Sequence, residues 1–555
     1  MLLFCLPVWL HAQVPDPLQR FFEQPAASVT LIPDMPPVSA PERTPVAPEV
    51  HNQGVAHNND GLAAMQRSDP TAAIASFRQA VQCNPGEIAF RHNLALALKR
   101  SGNAAEALTA WREVMGLAPT DPQAPYSAGL VLLNQLHRPQ EAVAYFRLAL
   151  QLNPADHIAA VNLAEAYQKL GMRQQAIDLL KQHAHLVSND GYPLCLLGNL
   201  LCETDQYPEA IRALTSASQL DNEGFAHEAL IRARFHGGQL AGLADLCRAV
   251  LGRFTRLQNR KAIEHIYAVL SPQQYRLTET LALTMNQPDA VTDLSISVRL
   301  LPSFERHQRV KLADIALVTP TGARRNVQRE AISDGRIRLT LAKEDFFPKL
   351  QVRLEHLVDL EPTLAEHGSL HRYAVPSLDA WVTDPRLSLD LPLLNQLAKR
   401  IAQLPGEFAA NAYTVVGRGF RYRENFEDHN VAWAFANPDR VDCTEFATVF
   451  AAVCLLRGIP ARTVTGFLVK DELIGTPTEV GHAWAEIFVK DRGWLPADPT
   501  LGRTMRWAYF GNLLSDQIIF DAAPGRPRPR VSINYMAREQ TAQVKIESSM
   551  VLERR

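Results

Sequence analysis

The first half of the chain repeats one arrangement of small, large apolar and proline positions. An alanine followed by an aliphatic residue recurs every 34 or 35 residues, and a large apolar residue follows four positions after each alanine. These units are Ala73-Ile74…Phe77, Ala107-Leu108…Trp111, Ala142-Val143…Phe146, Ala176-Ile177…Leu180 and Ala210-Ile211…Leu214. A helix–turn–helix unit of this period leaves an apolar face that only a neighbouring copy can cover. The pattern therefore predicts five stacked helix pairs over residues 51–222.

Glycines and prolines keep the same frame, with Gly102 and Gly171 in turns and prolines near the repeat ends. The whole pattern resembles the tetratricopeptide repeat. This resemblance implies an all-α solenoid whose concave face binds a protein or peptide partner. The alternative is that the array only spaces or orders the rest of the chain. Residues 223–288 continue a less regular helical pattern, which predicts additional helices that cap the array.

Strict alternation of apolar and polar residues replaces the helical period at about residue 289. It is clearest in residues 291–301, 310–319 and 336–341, and it returns in 349–357. Alternation of this kind, with turn residues between the segments, is typical of antiparallel strands. We therefore predict a small β-rich module over residues 289–372. The C-terminal part, residues 521–555, reads as a linker followed by edge strands.

A cysteine stands at the start of a strongly apolar helical segment in the last third of the chain. Asp442 is a natural N-cap for this helix, and Gly458 with Pro460 ends it. Cys443 then occupies the first helical position, where unpaired backbone N–H groups and the helix dipole favour a thiolate. That is the setting that a nucleophilic cysteine needs.

A predicted β-hairpin supplies two possible partners for this cysteine. Residues 482–489 alternate as a strand that begins with His482, and residues 494–500 return antiparallel to it. The hairpin can place Asp498 beside His482, where the carboxylate would orient the imidazole while the other ring nitrogen faces Cys443. We therefore predict a Cys443–His482–Asp498 triad.

Four motifs in this region resemble the transglutaminase-like core. They are DCTEFA at 442–447, GIPARTVTGF at 458–467, HAWAE at 482–486 and W…DPT at 494–500. The resemblance covers roughly residues 380–510 and implies an α+β papain-like domain, which we place at 380–520. It also implies Cys443 as the nucleophile, His482 as general base and acid, and Asp498 as the group that orients His482.

One position departs from the family pattern, because Val441 stands where a glycine usually lies two residues before the cysteine. A side-chain donor to the oxyanion is expected beside the Cys443 backbone N–H. Tyr422 and Trp433 are the two guesses for it. His429 and Cys454 are interpreted as structural.

The resemblance implies attack on an amide carbonyl, and the second acceptor decides the activity. Hydrolysis of a peptide or isopeptide bond is the favoured prediction, so the chain would be a cysteine protease or peptidase. Transfer to a lysine amine would make it a cross-linking transglutaminase instead. A non-catalytic protein-interaction scaffold is the alternative of a different class.

The composition limits the classes of partner, but it says little about the reaction. The 555 residues are 47% hydrophobic and 21% charged, with a net charge of −2, so no positive field would gather nucleic acid. No segment reaches the ~20 apolar residues that a membrane-spanning helix needs. No zinc-ligand spacing or phosphate-binding loop is present, so we predict no cofactor and no metal. The cysteines other than Cys5 and Cys443 are interpreted as core residues, and a Cys195–Cys202 bridge as implausible.

The N-terminus reads as an export signal followed by a spacer. Residues 2–10 are apolar and are followed by a small residue, Ala12, which predicts a signal peptide over 1–12. Residues 13–50 are rich in proline and predict an extended or disordered linker. The protein would then be periplasmic or secreted, or cytoplasmic if this run is not a signal.

Overall fold

A computed structural model describes the chain over residues 18–22, 46–183, 190–304, 306–333, 335–365, 384–424, 429–478, 481–490, 492–521 and 530–555. The predicted signal peptide at 1–12 lies outside these residues. The chain divides into two compact units, one formed by 25–233 and the other by 1–24 together with 234–555. The first described element, helix α1 (Gln19–Phe22), belongs to the second unit.

The first unit is built from five helix pairs, which confirms the predicted all-α solenoid. The pairs are α2 (Pro48–Gln66) with α3 (Pro70–Cys83), α4 (Ile88–Arg100) with α5 (Ala104–Leu117), α6 (Gln123–Leu130) with α7 (Pro139–Leu152), α8 (His157–Lys169) with α9 (Arg173–His183), and α10 (Tyr192–Glu203) with α11 (Tyr207–Leu220). A π-helical turn, Val131–Gln135, extends α6. Helix α2 begins inside the segment predicted as a linker, so that prediction is wrong from Pro48 onward.

Close contact within the pairs explains why the repeat alternates small and large residues. In the first pair Gly61 of α2 faces the buried ring of Phe77, and a Cβ on Gly61 would lie 2.5 Å from that ring. Gly129 faces Phe146 in the same way in the third pair. A small residue on the first helix thus makes room for a large one on the second, and the repeat period keeps these partners aligned.

Three further helices follow the repeats: α12 (Phe225–His236), α13 (Leu243–Arg253) and α14 (Arg260–Val269). The predicted helical region ends there, because β1 (Gln273–Met285) is a strand. The helical prediction is wrong for this segment. Its buried residues, which include Tyr275, Leu277 and Leu281, alternate with more exposed ones. The strand-like alternation of buried and exposed residues thus begins before residue 289.

The β-rich module contains β2 (Val291–Arg299), β3 (Gln308–Val318), β4 (Arg324–Arg325), β5 (Gln328–Ile332), β6 (Arg336–Thr340) and β7 (Lys349–Leu360). All strands pair antiparallel, as predicted. Two sheets share one apolar core, to which Leu283 of β1, Ile296 of β2 and Val352 of β7 contribute. The module is therefore a sandwich whose inner faces cover each other.

The third part is an α+β domain, as predicted. Its elements are α15 (Pro392–Ile401), α16 (Phe408–Gly419), α17 (Val431–Ala436), α18 (Cys443–Leu455), β8 (Ala461–Leu468), β9 (His482–Val489), β10 (Gly493–Ala497), α19 (Pro499–Met505) and β11 (Gln517–Asp521). The strands form one antiparallel sheet in the order β10-β9-β8-β11. Helix α18 is almost wholly buried and contacts β8 and β9, so the sheet supports it.

The chain then returns to the sandwich through β12 (Val531–Ala537) and β13 (Val544–Arg554). Strand β12 adds to the edge beside β2, and β13 adds to the edge beside β1. The predicted C-terminal edge strands are therefore confirmed. The two sheets read β13-β1-β7-β3-β4 and β12-β2-β6-β5.

The remaining sequence predictions concern thiols, membrane helices and the proline-rich segment. All six described cysteines are free, including Cys195 and Cys202, and of the five assigned to the core only Cys247 and Cys454 are fully buried. Within the described ranges, no helix has the length and apolarity to span a bilayer. Residues 18–22 were predicted as extended or disordered, but they form α1, and Leu18 and Phe21 are buried.

Candidate active site

The first turn of α18 places Cys443 at the open end of the helix. Asp442 has an extended backbone, and its carboxylate accepts the Thr444 N–H at 2.8 Å. The Glu445 carboxylate accepts the Asp442 N–H at 2.9 Å, which completes a capping box. Cys443 is therefore the first helical residue, and it stays partly exposed, as does Thr444, while Glu445–Leu455 are buried. The predicted N-cap is confirmed.

The hairpin of β9 and β10 brings His482 and Asp498 together. His482 opens β9, opposite Gly466 of β8, and Asp498 directly follows β10. The imidazole Nε2 of His482 lies 2.6 Å from Oδ2 of Asp498. The other carboxylate oxygen, Oδ1, accepts the Leu501 N–H at 3.0 Å and so caps α19. The predicted returning strand ends at Ala497, because Asp498 begins this helix.

The Cys443 side chain contributes to the raised pKa of His482, as expected for groups that lie near each other. The structure thus joins His482 to Asp498 by a hydrogen bond and places Cys443 at the start of α18. The side chain of His482 is 9% exposed and that of Asp498 is 1% exposed. Water therefore screens the interaction between them only weakly.

The surroundings of His482 favour its charged form. Burial lowers the pKa of His482, but the charge and hydrogen bond of Asp498, together with the Cys443 side chain, outweigh burial and raise that pKa to about 10. The charged form of His482 can donate a proton, and the Cys443 side chain stands at a helix N-terminus.

Two buried carboxyl groups belong to the start of α18: that of the N-cap Asp442 and that of Glu445 in the first turn. Burial and the neighbouring Glu445 hold the pKa of Asp442 well above its usual range. His429 contacts the same Glu445 carboxylate, with its backbone N–H at 3.2 Å and its Nδ1 at 3.6 Å. The raised pKa favours the protonated form of Asp442, which lessens the negative charge next to Cys443.

Val441 and Tyr422 form a parallel bridge just before the cysteine. The Arg423 N–H donates to the Val441 carbonyl at 2.9 Å, and the Val441 side chain is buried. Burial, followed by the charge of Cys443, raises the pKa of Tyr422 to about 12. Trp433 stacks on His429 at 3.6 Å between ring centroids. The identity of the side-chain oxyanion donor stays a prediction.

Comparisons with known proteins agree with both parts of the sequence interpretation. Residues 395–499 match the family model of the transglutaminase-like superfamily. The chain contains a transglutaminase-like core domain. Residues 60–188 match the tetratricopeptide repeat model, so the N-terminal solenoid is a tetratricopeptide-repeat array. No match was found among curated proteins.

Solved structures match parts of the chain at low identity. The pilF protein of Pseudomonas aeruginosa is 17% identical, over 39% of this chain and 99% of that chain, with a TM-score of 0.34. A tetratricopeptide repeat protein from Parabacteroides merdae is 15% identical, over 39% of this chain and 86% of its own, with a TM-score of 0.34. YrrB, described as a TPR protein with an unusual peptide-binding site, is 16% identical, over 32% and 91% of the two chains, with a TM-score of 0.29.

Two residues of the α+β domain escaped the sequence analysis. The Tyr509 hydroxyl donates to Oδ2 of Asp516 at 2.5 Å, and the Tyr509 carbonyl accepts the Asp498 N–H at 3.1 Å. Asp516 is buried, and burial raises its pKa to about 7. These residues brace the backbone of Asp498 from behind. Neither belongs to a short motif with local periodicity, so no signal in the sequence identified them.

Within the described part of the chain, no group of three or more His, Cys, Asp or Glu side chains is placed to hold a metal ion.

Proposed function

We propose that this protein is a cysteine-dependent acyl-transfer enzyme that hydrolyses peptide or isopeptide amide bonds. The observation that carries the proposal is the 2.6 Å hydrogen bond between His482 and Asp498, together with Cys443 at the partly exposed start of α18, where the Cys443 side chain helps to raise the pKa of His482. Membership of residues 395–499 in the transglutaminase-like superfamily is compatible with such an enzyme. In this proposal Cys443 is the nucleophile, His482 the acid and base, and Asp498 the residue that orients His482.

The proposed reaction begins when the Cys443 thiolate attacks the carbonyl carbon of an amide. The resulting oxyanion accepts a hydrogen bond from the Cys443 backbone N–H, which lies at the helix N-terminus. Protonated His482 then gives its proton to the leaving amine, and the C–N bond breaks to leave a thioester. Neutral His482 next takes a proton from water as the water oxygen attacks the thioester carbonyl; the C–S bond then breaks, which releases the carboxylic acid and restores the Cys443 thiolate beside protonated His482.

Throughout this cycle Asp498 keeps the imidazole in place. Because its Oδ1 is fixed by the Leu501 N–H, its Oδ2 is held toward His482 Nε2. The carboxylate also stabilises the imidazolium that exists before attack on the amide. The same geometry would serve transfer to a lysine amine if that amine replaced water. A cross-linking transglutaminase is therefore the second candidate.

The repeats indicate a protein-interaction role. Six exposed large apolar residues of the repeat unit lie on the first helix of a pair: Val50, Val55 and Leu62 on α2, Leu96 on α4, Ile158 on α8 and Tyr192 on α10; Leu220 on α11 and Phe225 on α12 are also exposed. In a repeat array such residues are available to a partner. We propose that they bind a protein that is the substrate or delivers it. We also propose that the protein is exported to the periplasm or secreted from the cell.

The deciding experiment compares wild type with Cys443→Ala, each incubated with a casein-derived peptide pool and a biotinylated primary amine. Mass spectrometry should show shorter peptides with wild type only. Amine-labelled peptides that require Cys443 would instead establish the transglutaminase. Alkylation by iodoacetamide provides the site test, with Cys454 as an internal control because burial raises its pKa and blocks access. An untouched pool together with an unreactive Cys443 would leave the scaffold as the explanation.

A further inference from the structure

A short N-terminal segment is buried in the transglutaminase-like core, about four hundred residues away along the chain. Leu18 is 1% exposed and Phe21 is 3% exposed. The Phe21 ring packs edge-on against Phe420, with centroids 4.9 Å apart, and stacks on Phe435 at 5.8 Å. We call residues 18–22 the anchor segment. The surface formed by Arg400, Gly419, Phe420, Phe435 and Asp439 is the anchor groove.

The anchor groove is shaped for this aromatic side chain. A Cβ on Gly419 would lie 1.8 Å from the Phe21 ring, so no larger residue at 419 leaves room for it. The glycine is therefore needed for close approach rather than for an unusual backbone angle. An apolar surface of the core that would otherwise face water is covered by Leu18 and Phe21.

Charged groups fix the direction in which the anchor segment lies. The Arg20 guanidinium is 2.8 Å from Asp439 and also reaches the Pro438 carbonyl at 3.5 Å. The Arg400 guanidinium lies 4.2 Å from the centroid of the Phe22 ring, in a cation–π contact. Arg20, Phe21 and Phe22 thus each meet a different partner in the groove, while Leu18 packs into the same apolar core. This is more selective than an apolar patch.

The groove is also continuous with the start of α18. Phe420, which contacts Phe21, packs on Phe446 in the first turn of that helix, with centroids 5.8 Å apart. The backbone after Phe420 then runs beside Val441: the Val441 N–H donates to Arg421 at 3.3 Å, and the Arg423 N–H donates back at 2.9 Å. Only Asp442 separates Val441 from the cysteine. The position of Phe420 therefore bears on the position of Cys443.

We propose that the anchor groove is a peptide-binding site for a Leu-x-Arg-Phe-Phe segment, filled by the chain's own residues 18–22. Its occupation holds residues 420–423 against Val441 and so keeps Cys443 where His482 can reach it. Phe21 and Phe420 are positioning residues in this scheme, since neither touches the reacting atoms. This proposal concerns how firmly residues 420–423 and Cys443 are held in position. It can be tested whether or not the protein is a hydrolase.

The test uses full-length protein with Phe21→Ala, which removes the anchor ring, and Gly419→Ala, which blocks the groove. Gln19→Ala is the matched control, because Gln19 is exposed on the same short helix. Two quantities are measured: hydrogen exchange of the amides of residues 420–423 and 441–445, and the rate at which iodoacetamide alkylates Cys443. A synthetic Leu-Gln-Arg-Phe-Phe peptide is then added at millimolar concentration, since a tethered segment acts at an effective concentration of about that order.

We expect Phe21→Ala and Gly419→Ala to speed hydrogen exchange of residues 420–423 and 441–445 by roughly tenfold or more. Local opening of these segments would then no longer have to break the contacts of the anchor segment. Gln19→Ala should match wild type. The peptide should restore protection and the alkylation rate in Phe21→Ala but not in Gly419→Ala, a difference that general unfolding would not produce.

Equal exchange in all four proteins would overturn the proposal. So would a loss in Phe21→Ala that the peptide leaves unchanged. If Cys443 resists alkylation in every protein, the proposed enzyme fails while hydrogen exchange still decides the role of the groove.

Discussion

Replacing Asp498 by asparagine tests the electrostatic core of the proposed site with little change in shape. Asparagine is a good helix N-cap, so its side-chain oxygen can still accept the Leu501 N–H and keep the start of α19. What is lost is the negative charge 2.6 Å from His482 Nε2. Any effect on His482 can then be attributed to charge rather than to misfolding.

The size of the effect follows from the burial of the pair. An opposite charge in contact changes a pKa by about 1–3 units, and each unit corresponds to about 1.4 kcal/mol. The pKa of His482, raised to about 10 mainly by Asp498 against the opposing effect of burial, should therefore fall by that amount in Asp498→Asn. The loss of imidazolium stabilisation should lower kcat/KM by roughly 10²–10⁴-fold.

The contribution of His482 to folding stability should depend on pH in a definite direction. Because the pKa of folded His482 is raised to about 10, its ion pair with Asp498 contributes stability that is fully present below the unfolded value of 6.5. That contribution is lost as the pH rises through about 10. In Asp498→Asn the same loss should occur at lower pH.

The assay is the rate of Cys443 alkylation by iodoacetamide over a pH series, with denaturant unfolding measured in parallel. The high-pH change in rate that reports loss of the imidazolium should shift down by about 1–3 pH units in Asp498→Asn. Asp471→Asn is the control, because Asp471 is 72% exposed and pairs with Arg554 at the surface. A profile that is the same in wild type and Asp498→Asn would refute the assignment of Asp498 as the residue that charges His482.

Two further predictions concern the sheet that supports the site. The buried Arg462 donates to Glu486 at 2.7 Å, so Arg462→Met should lower the free energy of unfolding by about 3–5 kcal/mol, whereas adding Glu486→Leu should recover much of that loss. Urea unfolding measures both, and Arg338→Met, at an exposed ion pair, should cost no more than about 1 kcal/mol. Equal losses in the single and double variants would contradict the buried-charge argument. Gly466→Ala should lower both Tm and the Cys443 alkylation rate, because its Cβ would lie 2.1 Å from the Ile518 carbonyl beside the strand that holds His482. The matched control is Gly252→Ala, where the Cβ meets nothing within 4 Å; a Gly466→Ala protein as stable as this control would refute the packing argument.

Much of the candidate site could be predicted because its determinants are local in sequence. Asp442 and Glu445 cap α18 within one turn of Cys443, so the open helix end is encoded by four adjacent residues. His482 and Asp498 lie on one hairpin, and the alternation of that hairpin determines which side chains meet. The family motifs lie on these same segments, so they identified the transglutaminase-like core.

The repeats were predictable for a related reason. Each helix pair contacts mainly its neighbours, so a period of 34 residues encodes the whole array. The sequence failed at places where a segment is ambiguous by itself. Residues 273–285 continue a helical region in sequence, yet they become the strand β1, which is flanked by β7 and by β13 from the end of the chain. Partners so distant leave no local periodicity to detect.

By itself, then, the sequence determined the repeat array, the open helix end at Cys443 and the hairpin that carries its two partners, since each depends on residues close together in the chain. Only the tertiary structure decided that Phe21 fills a groove beside Phe420, that Tyr509 and Asp516 stand behind Asp498, and that the C-terminal strands complete the sandwich. These contacts join residues that are distant in sequence, or lie in segments without periodicity. Their formation is determined by which apolar and polar surfaces are left to be covered once the local elements have packed.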